Sequence, residues 1–126
     1  MIAERLDGTR IAVTGATGFV GTALVERLLR SVPGCELVLL IRGGKRGATE
    51  RARRDIFKND CFERLRRELA VTGEDFDAMI ARRVTAINGD VGTDGLGLDD
   101  EARQVLASCH TVIHSAAAVA FDSPLD

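Results

Sequence analysis

Three glycines spaced three apart, Gly15, Gly18 and Gly21, stand between a short apolar run and an amphipathic segment, and this junction limits the fold more than any other feature of the chain. Ile11-Ala12-Val13 reads as a buried strand ending at Thr14-Gly15. From Thr22 onward Leu24/Leu28 and Val25/Leu29 recur four apart, as on one face of a helix that Ser31-Val32-Pro33-Gly34 stops. In such a unit the glycines serve three different ends. One permits the tight turn, one lets an anionic group approach the backbone, and one lets helix and strand pack closely. The start of the helix offers unpaired N–H groups to the anion. A turn used for packing alone would need glycine at the same places. The strand before it and the helix after it are, however, the setting in which a dinucleotide pyrophosphate is held.

The alternation continues along the chain. Leu37-Val38-Leu39-Leu40-Ile41 is apolar at every position, as a strand covered on both faces requires, and Arg42-Gly43-Gly44 ends it. A basic, helix-favouring stretch over residues 48–70 sets Phe57, Cys61, Leu65 and Leu69 four apart on one face. A shorter segment near residues 75–81 leads to a third strand, Val84-Thr85-Ala86-Ile87, followed by Asn88-Gly89-Asp90. A helix capped by Asp99 and ending near Ser108 precedes a fourth strand, Thr111-Val112-Ile113-His114. Strands alternating with helices specify an α/β fold with a doubly wound parallel sheet, Rossmann-like, because parallel neighbours need right-handed crossovers. The expected strand order is 3-2-1-4, with strand four an edge. The 126 residues are expected to form one partial NAD(P)-binding domain, residues 1–126, truncated after the fourth strand.

Composition matters through what it lacks. The chain has no tyrosine and no tryptophan, so a mechanism whose acid is a tyrosine hydroxyl cannot be completed by this polypeptide alone. A formal charge of −2 rules out bulk attraction for polyanions. Basic residues outnumber acidic ones between Arg42 and Arg67, yet the chain has only five phenylalanines and no other aromatic residue to interleave as in single-stranded nucleic-acid binders, and no nucleic-acid partner is expected. Cys35, Cys61 and Cys109 are odd in number and lack close spacing, which reads as reduced thiols in a cytoplasmic protein. The longest apolar runs fall far below the roughly 20 residues a bilayer needs, and no membrane span is expected. His110 and His114 are four apart, a metal-pair spacing on a helix, but they flank strand-like residues and have no evident third ligand, so no metal is expected.

The end of the second strand bears on the choice of dinucleotide. An acidic residue there accepts from the ribose diol, whereas an arginine offers a fork to a 2′-phosphate. Arg42 occupies the position and no carboxylate follows until Glu50, which favours NADPH; a solvated arginine at a strand end is the plainer reading. Asp90-Val91 stands where a carboxylate reaches an adenine amino group, or where an aspartate simply forms a turn. Ser115-Ala116-Ala117-Ala118 leaves room for the middle of a cofactor, and close packing would use the same small residues.

Five segments taken in order resemble the fatty acyl-CoA reductases. They are Val13-Thr14-Gly15-Ala16-Thr17-Gly18-Phe19-Val20-Gly21; Leu39-Leu40-Ile41-Arg42; Glu50-Arg51 through Phe62-Glu63-Arg64-Leu65-Arg66; Ile87-Asn88-Gly89-Asp90-Val91; and His114-Ser115-Ala116-Ala117 with Val119 and Phe121. These enzymes are extended short-chain dehydrogenase/reductases, related to thioester reductase domains. The resemblance, over residues 10–125, implies reduction of long-chain acyl thioesters with NADPH to aldehydes or alcohols. It implies that Gly15, Thr17, Gly18, Phe19, Val20 and Gly21 cradle the pyrophosphate and that Arg42 with Arg51 holds the 2′-phosphate. By the same resemblance Asp90 and Val91 border the adenine, and Ser115, Ala116 and Ala117 border the ribose toward the nicotinamide.

The resemblance covers only the amino-terminal half of such a reductase. The family's Tyr-x-x-x-Lys pair lies on a later helix, so no catalytic residue is expected here and hydride transfer by this chain alone is not expected. Fatty acyl-CoA is then a ligand of the complete enzyme only, and a complementing carboxy-terminal polypeptide is an expected partner for the exposed fourth strand. The alternatives are a non-catalytic NADP-binding or sensing module, half of a nucleotide-sugar epimerase or dehydratase, and a relic that neither folds nor binds. The long basic insertion between strands two and three speaks against the epimerase or dehydratase.

Overall fold

The computed structural model describes residues 5–42, 47–90 and 97–115. Four parallel strands, β1 (Arg10–Thr14), β2 (Glu36–Ile41), β3 (Val84–Asn88) and β4 (Thr111–His114), form one sheet in the order β3-β2-β1-β4. Helix α1 (Phe19–Ser31) joins β1 to β2. The connection from β2 to β3 holds α2 (Ala48–Asp55), a 3-10 turn (Asp60–Phe62), α3 (Glu63–Thr72) and α4 (Phe76–Arg83), and α5 (Asp100–Ala107) precedes β4. This is the doubly wound order that the alternation of elements predicts. Helix α1 begins at Phe19, three residues before the apolar period becomes visible at Thr22.

The unbroken apolar runs of β1 and β2 follow from burial on both faces. Ile11, Val13, Leu37, Leu39 and Ile41 pack on one side with Val25 and Leu29 of α1 and with Phe62 and Met79 of the β2–β3 connection. Ala12, Val38, Leu40 and Ile87 pack on the other side with Leu98 and with Ala102 of α5. Each fully buried leucine, isoleucine or valine contributes about 1.5–3 kcal/mol. The two central strands therefore hold most of the sheet. The outer strands are less covered, and Val112 of β4 remains 60% exposed.

The helix expected over residues 48–70 is two helices joined by a corner. Helix α2 stops at Asp55, and the Asn59 side chain accepts a hydrogen bond from the Cys61 N–H at 2.9 Å, which starts the 3-10 turn. Phe62 stacks edge-on against Phe57 and Phe76, with ring centroids 5.3 and 6.0 Å apart. The Arg66 guanidinium lies 4.7 Å from the Phe76 ring centroid and donates to the Phe57 carbonyl. The corner resets the helical phase, so Phe57 and Leu65 are buried while Cys61 is exposed. The expected stripe of four residues is broken at Cys61.

Two later helices start on aspartate caps, of which the sequence predicts the one at Asp99 but does not single out the one at Asp75. The Asp99 carboxylate accepts from the Ala102 N–H at 2.7 Å, and the Asp75 carboxylate accepts from the Ala78 N–H at 2.9 Å. The end of α1 is closed from a distance. Arg83, at the close of α4, donates to the carbonyls of Leu29 and Cys35 at 3.0 Å each and to that of Val32 at 2.7 Å. One guanidinium thus satisfies acceptors at the carboxyl end of α1 and the start of β2. Among the described residues no helix is long and apolar enough to cross a membrane.

Candidate functional site

The glycine turn lies at the carboxyl end of β1 and has the geometry its spacing implies. Gly15 has φ +73°, a left-handed conformation that side chains disfavour. Its carbonyl accepts from the Gly18 N–H at 3.1 Å. A Cβ on Gly21 would lie 2.0 Å from the Gly15 carbonyl oxygen, so only glycine lets α1 sit this close to the turn. Gly18 is the N-cap of α1, in extended conformation, and contributes no side chain to cap it. No acidic residue stands in the first turn of the helix. The side chains of Phe19 and Val20 are 91% and 67% exposed, so these two residues face the turn with backbone N–H groups rather than with their side chains. An uncapped helix start above a left-handed glycine fits a diphosphate.

Thr22, which the sequence pattern did not single out as part of the site, braces this loop. Its buried hydroxyl donates to the Ala16 carbonyl at 2.7 Å, tying the first turn of α1 to the segment that precedes it.

Beside the turn is a cavity of about 240 Å³ over the carboxyl ends of β1, β2 and β3. Gly15 and Thr17 form one wall, Gly89 and Asp90 another, and Arg42 and Arg51 stand on its border. A crevice outside the carboxyl ends of the strands is where open α/β sheets take ligands, and this cavity lies on the β2 side of β1, next to the point between β1 and β4 at which the order reverses. The Arg42 guanidinium is 3.7 Å from the Asp90 carboxylate, and its side chain is 74% exposed. A pair this exposed contributes at most about 1 kcal/mol, so Arg42 is readily turned toward a phosphate. Arg51 crosses from α2 to donate to the Arg42 carbonyl and to the Asp55 carboxylate, the latter at 3.2 Å. Hydrogen bonds from Arg54 and then Arg51 hold the Asp55 carboxyl below the usual carboxylate range. The fold therefore brings Gly15, Thr17, Arg42, Arg51 and Asp90 around one cavity, with Gly18, Phe19, Val20 and Gly21 in the adjoining helix start.

The end of β4 is joined to the end of β1. The Ser115 N–H donates to the Thr14 carbonyl at 3.1 Å, and the Ser115 hydroxyl donates to the same oxygen. Thr14 Oγ1 and His114 Nδ1 share a hydrogen bond at 2.7 Å. His110 Nδ1 accepts from the Arg10 N–H at 3.1 Å, so the two histidines serve opposite ends of β1 rather than one metal. Among the described residues no three His, Cys, Asp or Glu side chains gather as a metal site. Val91, Ala116 and Ala117 lie outside the described residues.

Residues 13–126 match the NAD-binding family model described as "Male sterility protein". The chain belongs to this fatty acyl-CoA reductase family. It is 35% identical to fatty acyl-CoA reductase 1 of Rattus norvegicus, with 98% of this chain aligned to 23% of that protein. It is 33% identical to fatty acyl-CoA reductase 8 of Arabidopsis thaliana, with 96% of the chain aligned to 25% of the relative. The chain thus spans about a quarter of the length of these reductases. Among solved structures it resembles the terminal R domain of the myxalamid PKS-NRPS pathway, with a TM-score of 0.60 and 28% identity over 94% of this chain and 27% of that one. A thiolation-reductase di-domain from an archaeal non-ribosomal peptide synthetase gives a TM-score of 0.62 and 26% identity, over 90% of this chain and 21% of that one. The NAD(P)-binding character of this reductase-family domain is a property of the matched family.

Proposed function

We propose that this reductase-family chain is the NADPH-binding portion of an enzyme that reduces fatty acyl-CoA to a fatty aldehyde or alcohol. The observation that carries the proposal is the single cavity that has the Gly15 turn on one side and Arg42 with Arg51 on the other. In this reading the N–H groups at the start of α1 hold the diphosphate, with Gly18 leaving space for its approach. Arg42 leaves Asp90 to meet the 2′-phosphate, and Arg51 fixes the backbone from which Arg42 extends. Asp90 then faces the adenine, while Ser115 keeps the end of β4 against β1 where the ribose passes. Val91, Ala116 and Ala117 complete the adenine and ribose borders in the same reading. The chemistry that NADPH supplies when bound is hydride donation to a thioester carbonyl.

The chain contains no tyrosine to donate the accompanying proton. It is accordingly proposed to bind NADPH without turning over acyl-CoA unaided. The absence of tyrosine equally favours a non-catalytic nucleotide-binding module, and the two readings separate on complementation. A carboxy-terminal reductase polypeptide added in trans restores turnover only under the first.

The cofactor assignment is tested by titrating NADPH and NADH against the chain and its Arg42→Asp variant. NADPH is expected to bind the parent more tightly, by about tenfold or more, and the variant is expected to lose most of that preference. Equal preference in parent and variant refutes the phosphate assignment.

A further inference from the structure

Away from the nucleotide cavity, the outer edge of the sheet carries two depressions that share one strand. β3 is the last strand in the order β3-β2-β1-β4, so one side of its backbone has no strand neighbour among the described residues. Its side chains alternate across the sheet, with Val84 and Ala86 packed on the α1 side and Ile87 packed beneath α5. On the α1 side a cavity of about 420 Å³ is walled mainly by Ala52, Phe57, Ile80, Ala81, Val84 and Ala86, with Thr49, Arg53 and Asp77 also on its lining. On the α5 side a cavity of about 210 Å³ is walled by Ile87, Ala102 and Val105, with the carboxylates of Asp99 and Glu101 beside them. Thr85 and Ala86 belong to both.

We infer that the β3 edge takes up an extended peptide segment whose residues alternate between large apolar and basic. A strand laid along β3 would bond to its open backbone, and successive side chains would point to opposite faces about 3.3 Å apart. A chain of that period enters the two cavities in turn, and both meet at Thr85 and Ala86. The larger cavity takes the apolar residues, because most of its wall is aliphatic and aromatic and the Arg53 and Asp77 that also line it carry opposite charges. The smaller one selects a cation. Glu101 is exposed on α5 and supplies the charge, while Asp99 is engaged with the Ala102 N–H at 2.7 Å and adds to the negative field. The surface runs along the strand rather than across its carboxyl end, so occupation of it and of the nucleotide cavity are separate events.

The test is fluorescence anisotropy of the full chain with a labelled peptide of about seven residues in which leucine and lysine alternate. One control has the same composition in blocked order, and another has N-methylated amides on the side that would face β3. The alternating peptide is expected to bind, the blocked peptide to bind about tenfold more weakly, and the methylated peptide not to bind. Glu101→Lys, on an exposed helical surface, is expected to weaken the leucine-lysine peptide about tenfold and to favour a leucine-glutamate one. Ala81→Phe, which fills the apolar cavity from α4, is expected to weaken both. Circular dichroism of each variant confirms the fold. The inference is overturned if the alternating peptide fails to bind at millimolar concentration. It is equally overturned if the blocked or methylated peptide binds as tightly, or if folded Glu101→Lys binds the lysine peptide unchanged.

Discussion

Replacing Gly21 with alanine places a methyl carbon 2.0 Å from the Gly15 carbonyl oxygen, 2.7 Å from the Gly15 carbonyl carbon and 2.9 Å from the Ala16 Cα. All three are main-chain atoms, so no side chain can rotate away. Restoring a 3.4 Å contact requires the start of α1 and the glycine turn to separate by about 1.4 Å. Overpacking of this kind costs about 1–3 kcal/mol, and contact with backbone places it at the upper end. Alanine returns about 1 kcal/mol through its better helix propensity. The net loss is about 2 kcal/mol, roughly a thirtyfold shift toward the unfolded chain. Gly18→Ala supplies the comparison. Its Cβ meets nothing nearer than the Gly15 carbonyl oxygen at 3.4 Å, and Gly18 has φ −79°, which alanine adopts freely. It should cost no more than about 1 kcal/mol, for the poorer N-cap that alanine makes, while reducing NADPH affinity, because the methyl occupies the space that the proposed function gives to the diphosphate. Urea unfolding followed by circular dichroism measures the stabilities, and NADPH fluorescence measures the affinities. A Gly21→Ala protein as stable as the parent, or a Gly18→Ala protein destabilised more than Gly21→Ala, would refute the packing argument.

Three further outcomes follow from contacts away from the turn. Arg83→Ala leaves the Leu29, Val32 and Cys35 carbonyls without their guanidinium donor and should cost about 2–3 kcal/mol in urea unfolding, with Arg83→Lys recovering only part; no loss would mean that water serves these acceptors equally well. Thr22→Val keeps the side-chain shape but removes the donor to the Ala16 carbonyl, so it should cost about 1–2 kcal/mol and weaken NADPH binding, measured by the same two assays. The Arg53 hydrogen bond holds the Glu50 carboxyl below its usual range, as Arg54 and then Arg51 do for Asp55. Such carboxylates favour the folded state above their unfolded values near 4, so stability should be level from pH 7 to about 5 and fall below about 4. The double variant Glu50→Gln, Asp55→Asn should flatten that fall in an acid titration at low salt, and an unchanged profile would show that the two pairs make no contribution.

The two central strands were readable because burial on both faces leaves a continuous apolar signature, clearest in residues 37–41, whereas β3 and β4 are only partly covered and carry shorter, mixed runs. The glycine turn was readable because left-handed backbone at Gly15 and close approach at Gly21 each exclude other residues. The cap at Asp99 was visible for a similarly local reason. The corner at residues 56–62 was not, because apolar period is blind to an asparagine whose side chain starts a new segment after α2 has stopped, and Phe76, one of the three phenylalanines that hold it, lies in a later helix. Thr22 was hidden for a different reason, since its hydroxyl serves a carbonyl six residues back across a turn whose path only the fold defines. The Thr14–His114 contact spans 100 residues, and nothing in the local pattern of either end announces it. Arg42 was read from its place at the end of the second strand and Arg51 by resemblance, but the bond from Arg51 to the Arg42 carbonyl, which makes them one unit, emerged only in three dimensions.

The reach of Arg83 sets an order of assembly for the reductase-family domain. Its acceptors lie 48 to 54 residues earlier in the chain, so the far end of α1 is fastened only after the whole β2–β3 connection has been made. During synthesis the glycine-turn strand and its helix leave the ribosome first, yet the rod that aims their amide groups gains its second anchor only when residue 83 arrives.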